Sequence, residues 1–89
     1  MYTGKFKKKE NLLCETYDEG EIILDLQNDQ YHLLNHTASI VFQSCDQMMV
    51  DDIIQLLHSI YVNEDENEIT NDTIEIISRL KNLGLIIEE

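Results

Sequence analysis

The chain has 89 residues, which suffices for one domain with a thin core and excludes a large enclosed active site. Hydrophobic residues make up 43% of it, a share typical of folded rather than disordered proteins. The net charge of −12 disfavours a nucleic acid partner and favours a cationic peptide or protein surface, although such acidity also serves solubility alone.

The amino-terminal segment carries most of the basic residues. Four of the six lie in KFKKK, and we expect residues 1–10 to form a flexible charged arm before a single domain at 11–89. No apolar run follows these lysines, so they do not begin a signal peptide, and no segment has the ~20 apolar residues of a membrane span. We therefore expect a cytoplasmic chain without a membrane partner.

The histidines and cysteines indicate neither a metal nor catalysis. Cys14 and Cys45 form no CxxC pair, and with His32, His36 and His58 they match no standard zinc spacing. We expect buried, reduced thiols in a reducing compartment. No glycine-rich phosphate loop is present, so we predict a protein that is not an enzyme and holds no cofactor.

Three strands are predicted before residue 35. They are LLCETY, EIILDL and QYHLL, with the turn DEG between the first two. If Asn28 and Asp29 form a two-residue loop, Leu26 faces Tyr31 and Asp25 faces His32 as a charge pair. One face of the hairpin is then made of Ile22, Leu24, Leu26, Tyr31 and Leu33. We expect Tyr31 on that face to belong to the core.

Three helices are predicted after the strands. Asn35 is a good N-cap, and an apolar stripe at helical spacing follows it. A second helix is expected with Asp51 as its cap or a start one residue earlier. Thr70 or Asn71 is expected to cap a third helix after the acidic loop VNEDENEI, and Gly84 to end it. This order predicts an α+β fold, winged helix-turn-helix-like, with a three-stranded antiparallel sheet followed by three helices.

The segment ILDLQNDQYHLLNHTASIVFQ resembles the signature of the PqqD family. The residues that carry the resemblance are Leu24, Asp25, Leu26, Tyr31, Leu34, Asn35, Thr37 and Ala38. RLKNLGLI near the carboxyl end also fits in outline. The chain departs from the family pattern at His32, where an aromatic is frequent, and at Leu33, where a small residue is frequent. Both departures concern which sequence is recognised.

The resemblance implies a recognition element for ribosomally made precursor peptides. Such proteins bind the leader segment and present the peptide to a protease, cyclase or radical enzyme, here as a stand-alone copy as in lasso-peptide or pyrroloquinoline quinone pathways. The leader is expected to add as a strand to the third predicted strand, at Gln30, Tyr31, His32, Leu33 and Leu34. An edge strand has free backbone groups for this purpose.

The third helix is expected to form the opposite wall of the site. Helical spacing places four candidates on one face, namely Ile74, Ile77, Ser78 and Lys81. We expect the adjacent row, Ile76, Leu80 and Leu83, to be core.

Two alternative functions remain open at this point. One is a winged-helix regulator that binds DNA, although the second and third helices contain only Arg79 and Lys81 as basic residues. The other is a structural subunit of an enzyme complex without peptide recognition.

Overall fold

A computed structural model describes residues 4–89 of the chain. Their elements, in chain order, are β1 (Phe6–Lys8), β2 (Leu12–Tyr17), β3 (Gly20–Asp25), β4 (Gln30–Asn35), α1 (His36–Ser44), α2 (Val50–Ile60), α3 (Glu66–Asn82) and β5 (Ile86–Glu88). The expected α+β arrangement of a three-stranded antiparallel sheet and three helices is confirmed. In this part of the chain no helix is long and apolar enough to cross a membrane.

The three-stranded sheet has the order β2-β3-β4, so β4, the third strand predicted from the sequence, lies at an edge. The hairpin between β3 and β4 closes at Asp25 and Gln30, and residues 26–29 form its loop. The prediction of a two-residue loop is therefore wrong. The Asp25 carboxylate accepts hydrogen bonds from the backbone N–H groups of Gln27 and Asn28, at 3.1 and 3.2 Å, which stabilises the wider turn.

The sheet buries only one of its two faces. Ile23 is completely buried and Leu34 is 6% exposed, because the helices pack against this side. The opposite face carries Leu24, Tyr31 and Leu33 toward solvent, so the prediction that Tyr31 belongs to the core is wrong. Both faces of the hairpin contain apolar residues, and alternation alone therefore does not indicate which face is covered.

The first two helices follow the expected pattern. The side chain of Asn35 caps α1 by accepting a hydrogen bond from the backbone N–H of Ala38 at 2.8 Å. Val41 and Phe42 of α1 are fully buried. Helix α2 begins at Val50, the earlier of the two expected starts, without a side-chain cap.

Helix α3 begins earlier than the sequence pattern indicated. Asp65 caps it by accepting hydrogen bonds from the backbone N–H groups of Asn67 and Glu68, so the prediction of Thr70 or Asn71 as cap is wrong. The second half of the acidic segment expected as a loop, residues 66–69, forms the first turn of the helix, where negative charge is favourable. Gly84, in the left-handed region with φ of 76°, ends the helix as expected.

The chain ends meet in a second, two-stranded sheet. Strand β1 pairs antiparallel with β5, and Phe6 of β1 is 1% exposed in the core together with Leu85 and Ile86. The expectation of a flexible arm over residues 1–10 is therefore wrong from Phe6 onward, and residues 1–3 lie outside the described part. The Phe6 side chain helps to anchor this segment, because it brings a large apolar surface into the core.

Candidate functional site

The free edge of β4 is the main feature of the site. Strand β4 pairs with β3 on one side, and no other strand of residues 4–89 pairs with its second side. In such an edge every second residue directs its N–H and C=O groups away from the sheet. Tyr31 and Leu33 project from the outer face of this strand and are 67% and 63% exposed. The edge thus combines unpaired backbone groups with large apolar side chains.

A groove separates this edge from helix α3. It has a volume of about 250 Å³ and is lined by Leu33, Leu34, Asn35, Ala38, Ile76, Arg79, Leu80 and Leu83. Strand β4 and the start of α1 form one wall, and α3 forms the other. We call this depression the β4 groove. Most of its lining is apolar, with the Arg79 guanidinium as its cation.

The five predicted residues of β4 lie along this edge. Gln30, Tyr31 and Leu33 are exposed, whereas Leu34 is buried and borders the groove from below. His32 is half-buried on the inner face, where it is opposite Ile23 rather than Asp25. The predicted charge pair between His32 and Asp25 is therefore wrong. The buried Nε2 of His32 has no hydrogen-bond partner among the described residues.

The predicted wall residues of α3 do not line the groove. Ile77 is fully buried and cannot touch a peptide without unfolding of the core. Ile74 and Ser78 are half-buried, and the Lys81 Nζ lies 3.2 Å from the Glu88 carboxylate. Ile77 faces the interior and Lys81 contacts β5, so the face of α3 that borders the groove is not the predicted one.

The row expected to be core also forms the helical wall, and the expectation of burial is confirmed for Leu80. Ile76, Leu80 and Leu83 line the groove together with Arg79, at spacings of three and four residues. Leu80 is buried beneath the groove, while Leu83 is 42% exposed. Each row contains isoleucine or leucine side chains at helical spacing, so periodicity alone does not tell which row borders the groove. A useful signal was the place of Leu83 just before Gly84, beyond the buried stripe.

An ion pair and several hydrogen bonds stabilise the inner face of the hairpin of β3 and β4. The Lys9 Nζ lies 2.7 Å from the Asp25 carboxylate and donates to it, and Asn28 also donates, which lowers the pKa of Asp25 to about 2. Glu21 is fully buried, and its carboxylate accepts hydrogen bonds from Ser39 and Gln43. The contacts of Glu21 join β3 to α1. They thereby fix the position of β4, which pairs with β3.

The cysteines are separated in the fold. Cys45 is buried as expected, and desolvation raises the pKa of its thiol to about 12, which makes it a poor nucleophile. Cys14 is exposed, so the expectation that both thiols are buried is wrong for Cys14. Within residues 4–89 no three histidine, cysteine or acidic side chains are arranged to hold a metal ion.

This fold and site define a winged helix-turn-helix-like domain whose hairpin has an open edge beside a helix-walled groove. The family described as coenzyme PQQ synthesis protein D (PqqD) matches residues 20–86, which is more than half of the chain. The chain therefore belongs to the PqqD family. The match covers β3, β4 and all three helices, and so includes both walls of the groove.

Two solved structures resemble the chain over nearly its full length. One is lasso peptide synthetase B1 complexed with the leader peptide, at 25% identity, a TM-score of 0.79, and coverage of 93% of this chain and 98% of that one. The other is TbiB1 in complex with the TbiA(beta) leader peptide, at 18% identity, a TM-score of 0.78, and coverage of 90% and 93%. The second likeness supports the fold alone. A comparison with curated protein sequences found no match.

Proposed function

We propose that this protein binds the leader segment of a ribosomally made precursor peptide and presents it to a modifying enzyme. The leader adds as an antiparallel strand to β4, with alternate side chains beside Tyr31 and Leu33 and in the β4 groove. The protein is not itself an enzyme in this account, and it acts in the cytoplasm. The modifying enzyme is a protease, cyclase or radical enzyme of the same pathway.

The observation that carries this proposal is the unpaired edge of β4 beside an apolar groove. Strand addition to such an edge gives affinity through backbone hydrogen bonds and selectivity through side-chain pockets. The asparagine cap at Asn35 connects β4 directly to α1, so the edge is held rigidly and little ordering entropy is lost on binding.

Family membership and the lasso peptide synthetase B1 structure support the same function. That synthetase is complexed with its leader peptide, and its fold covers 93% of this chain. The net charge of −12 disfavours the DNA-binding alternative, because acidic surfaces repel phosphate backbones.

A backbone methylation scan of the leader tests strand addition. Each amide nitrogen of a synthetic leader, taken from the precursor encoded beside this protein, is methylated in turn, and the Kd is measured by calorimetry. Methylation removes one donor and leaves a β4 carbonyl unpaired, so we expect a loss of roughly 5- to 100-fold at alternate positions. Binding that is insensitive to methylation, or sensitive without a period of two, contradicts the proposal.

A further inference from the structure

The β4 groove continues beyond Asn35 along helix α3. A second hollow of about 240 Å³ shares Asn35 and Arg79 with the β4 groove and extends to Thr37 and Asp72. A third hollow of about 100 Å³ shares Thr37 and Asp72 with the second and reaches the loop between α2 and α3. The second and third hollows, which are bordered by Glu64, Asp72 and Glu75, are here called the acidic furrow.

The character of this continuous depression changes along its length. The β4 groove is walled by leucine, isoleucine and alanine side chains, whereas the acidic furrow is bordered by three exposed carboxylates. The Glu75 carboxylate lies 3.8 Å from the Arg79 guanidinium, and this exposed ion pair contributes little to stability. The ion pairs found within residues 4–89 include neither Glu64 nor Asp72. The furrow has three carboxylates against the single Arg79 guanidinium, and this excess of negative charge attracts positive charge.

The direction of β4 determines which part of a leader reaches the furrow. Strand β4 runs from Gln30 to Asn35, and Asn35 borders both the groove and the furrow. A strand that adds antiparallel to β4 has its amino-terminal end beside Asn35. The residues that precede the added strand therefore pass into the furrow, and those that follow it leave near Gln30.

The length of the furrow sets the length of the segment that fills it. Its lining extends along α3 from Arg79 back to Ile69, about 15 Å at 1.5 Å per helical residue. An extended peptide covers that distance with about four or five residues. Lysine and arginine fit such a site, because their aliphatic stems pack on Ile76 and Tyr61 while their charged ends reach the carboxylates.

We propose that the acidic furrow binds a basic segment of four or five leader residues immediately before the residues that add to β4. This inference rests on the proposed function and deepens it. The recognised peptides form one class, with lysine or arginine first and an apolar strand segment after it. The order of the two parts is the consequence of antiparallel addition.

A random-peptide display library tests this specificity without knowledge of the leader. Peptides of 14 random residues are selected on the immobilised full-length protein and on two variants. One variant carries Glu64→Gln and Asp72→Asn in the furrow. The matched control carries Asp51→Asn and Asp52→Asn on α2, which removes the same charge from exposed positions outside both depressions.

We expect enriched peptides to combine an apolar strand segment with a basic residue one to five positions before it. The basic preference should reach about three- to fivefold, the size of one exposed ion pair, and should disappear on the furrow variant but persist on the control. The inference is overturned by an apolar motif without the basic preference, by basic residues that follow the motif, or by a preference that survives in the furrow variant. Each of these results leaves the proposed function standing. A library without any enriched strand motif contradicts both.

Discussion

The substitution Leu33→Ala separates a role of this residue in binding from a role in folding. Leu33 is 63% exposed in the free protein and borders the β4 groove. Full burial of a leucine side chain stabilises by about 1.5–3 kcal/mol, so an added strand that covers the exposed part of Leu33 gains roughly 1–2 kcal/mol there. Truncation to alanine removes most of this gain and should weaken leader binding by roughly 5- to 30-fold.

Leu13→Ala is the matched control for this measurement. Leu13 lies on the same outer face of the sheet and is 55% exposed, but it belongs to β2 at the opposite edge. Both variants should keep the thermal unfolding midpoint of the parent, since neither side chain is buried in the free state. Titration calorimetry with the leader then compares the two. Equal losses at Leu33 and Leu13, or no loss at Leu33, would refute docking on β4.

Three further predictions concern the fold that positions the edge. Phe6→Ala should destabilise the protein by about 3–5 kcal/mol in urea unfolding, because this side chain is 1% exposed. A change below ~1 kcal/mol would mean that β1 is not part of the folded unit. Gly20→Ala should destabilise the protein by more than ~2 kcal/mol, because an added Cβ would lie 1.8 Å from the Leu34 carbonyl oxygen. A smaller loss of stability would contradict the close approach of β3 and β4. The pKa of Asp25 is lowered to about 2, so its contribution to stability is complete above pH ~4 and disappears as the pH falls toward 2. Asp25→Asn should therefore flatten acid unfolding in that window, and an unchanged profile would argue against the contact with Lys9.

Local features of the fold were predictable from the sequence. The structure agrees with the cap at Asn35, with the stop at Gly84 and with the succession of β2, β3 and β4 by three helices, and it adds β1 and β5, which were not predicted. The start of α3 was missed because several acidic and polar residues in succession read as a loop. The side chain of Asp65 and the helix dipole make the same segment a stable helix amino terminus.

Long-range features were not predictable in the same way. The pairing of β1 with β5 joins residues about 80 positions apart, and a run of lysines gives no sign of it. The hairpin has apolar residues on both faces, so only the packing of the helices determines that Ile23 is buried and Tyr31 exposed.

The place of the candidate site on the β4 edge stays a prediction, whereas the α3 residues that line the β4 groove are not the ones named as its helical wall. The row of Ile77 also contains Ser78 and Lys81, whereas the row of Ile76 is apolar throughout, yet both have apolar residues three or four positions apart. Which of them borders the β4 groove depends on how α3 packs against the sheet and β5, and no local pattern specifies this packing.

NMR of the labelled protein with its unlabelled leader shows whether the leader pairs with β4. Strand addition predicts interstrand contacts between leader protons and the backbone of β4, with leader residues running antiparallel to Gln30–Asn35 and side-chain contacts to Leu33 and Leu83. A leader that binds without contacts to β4, or that contacts the opposite edge at β2, would contradict the account.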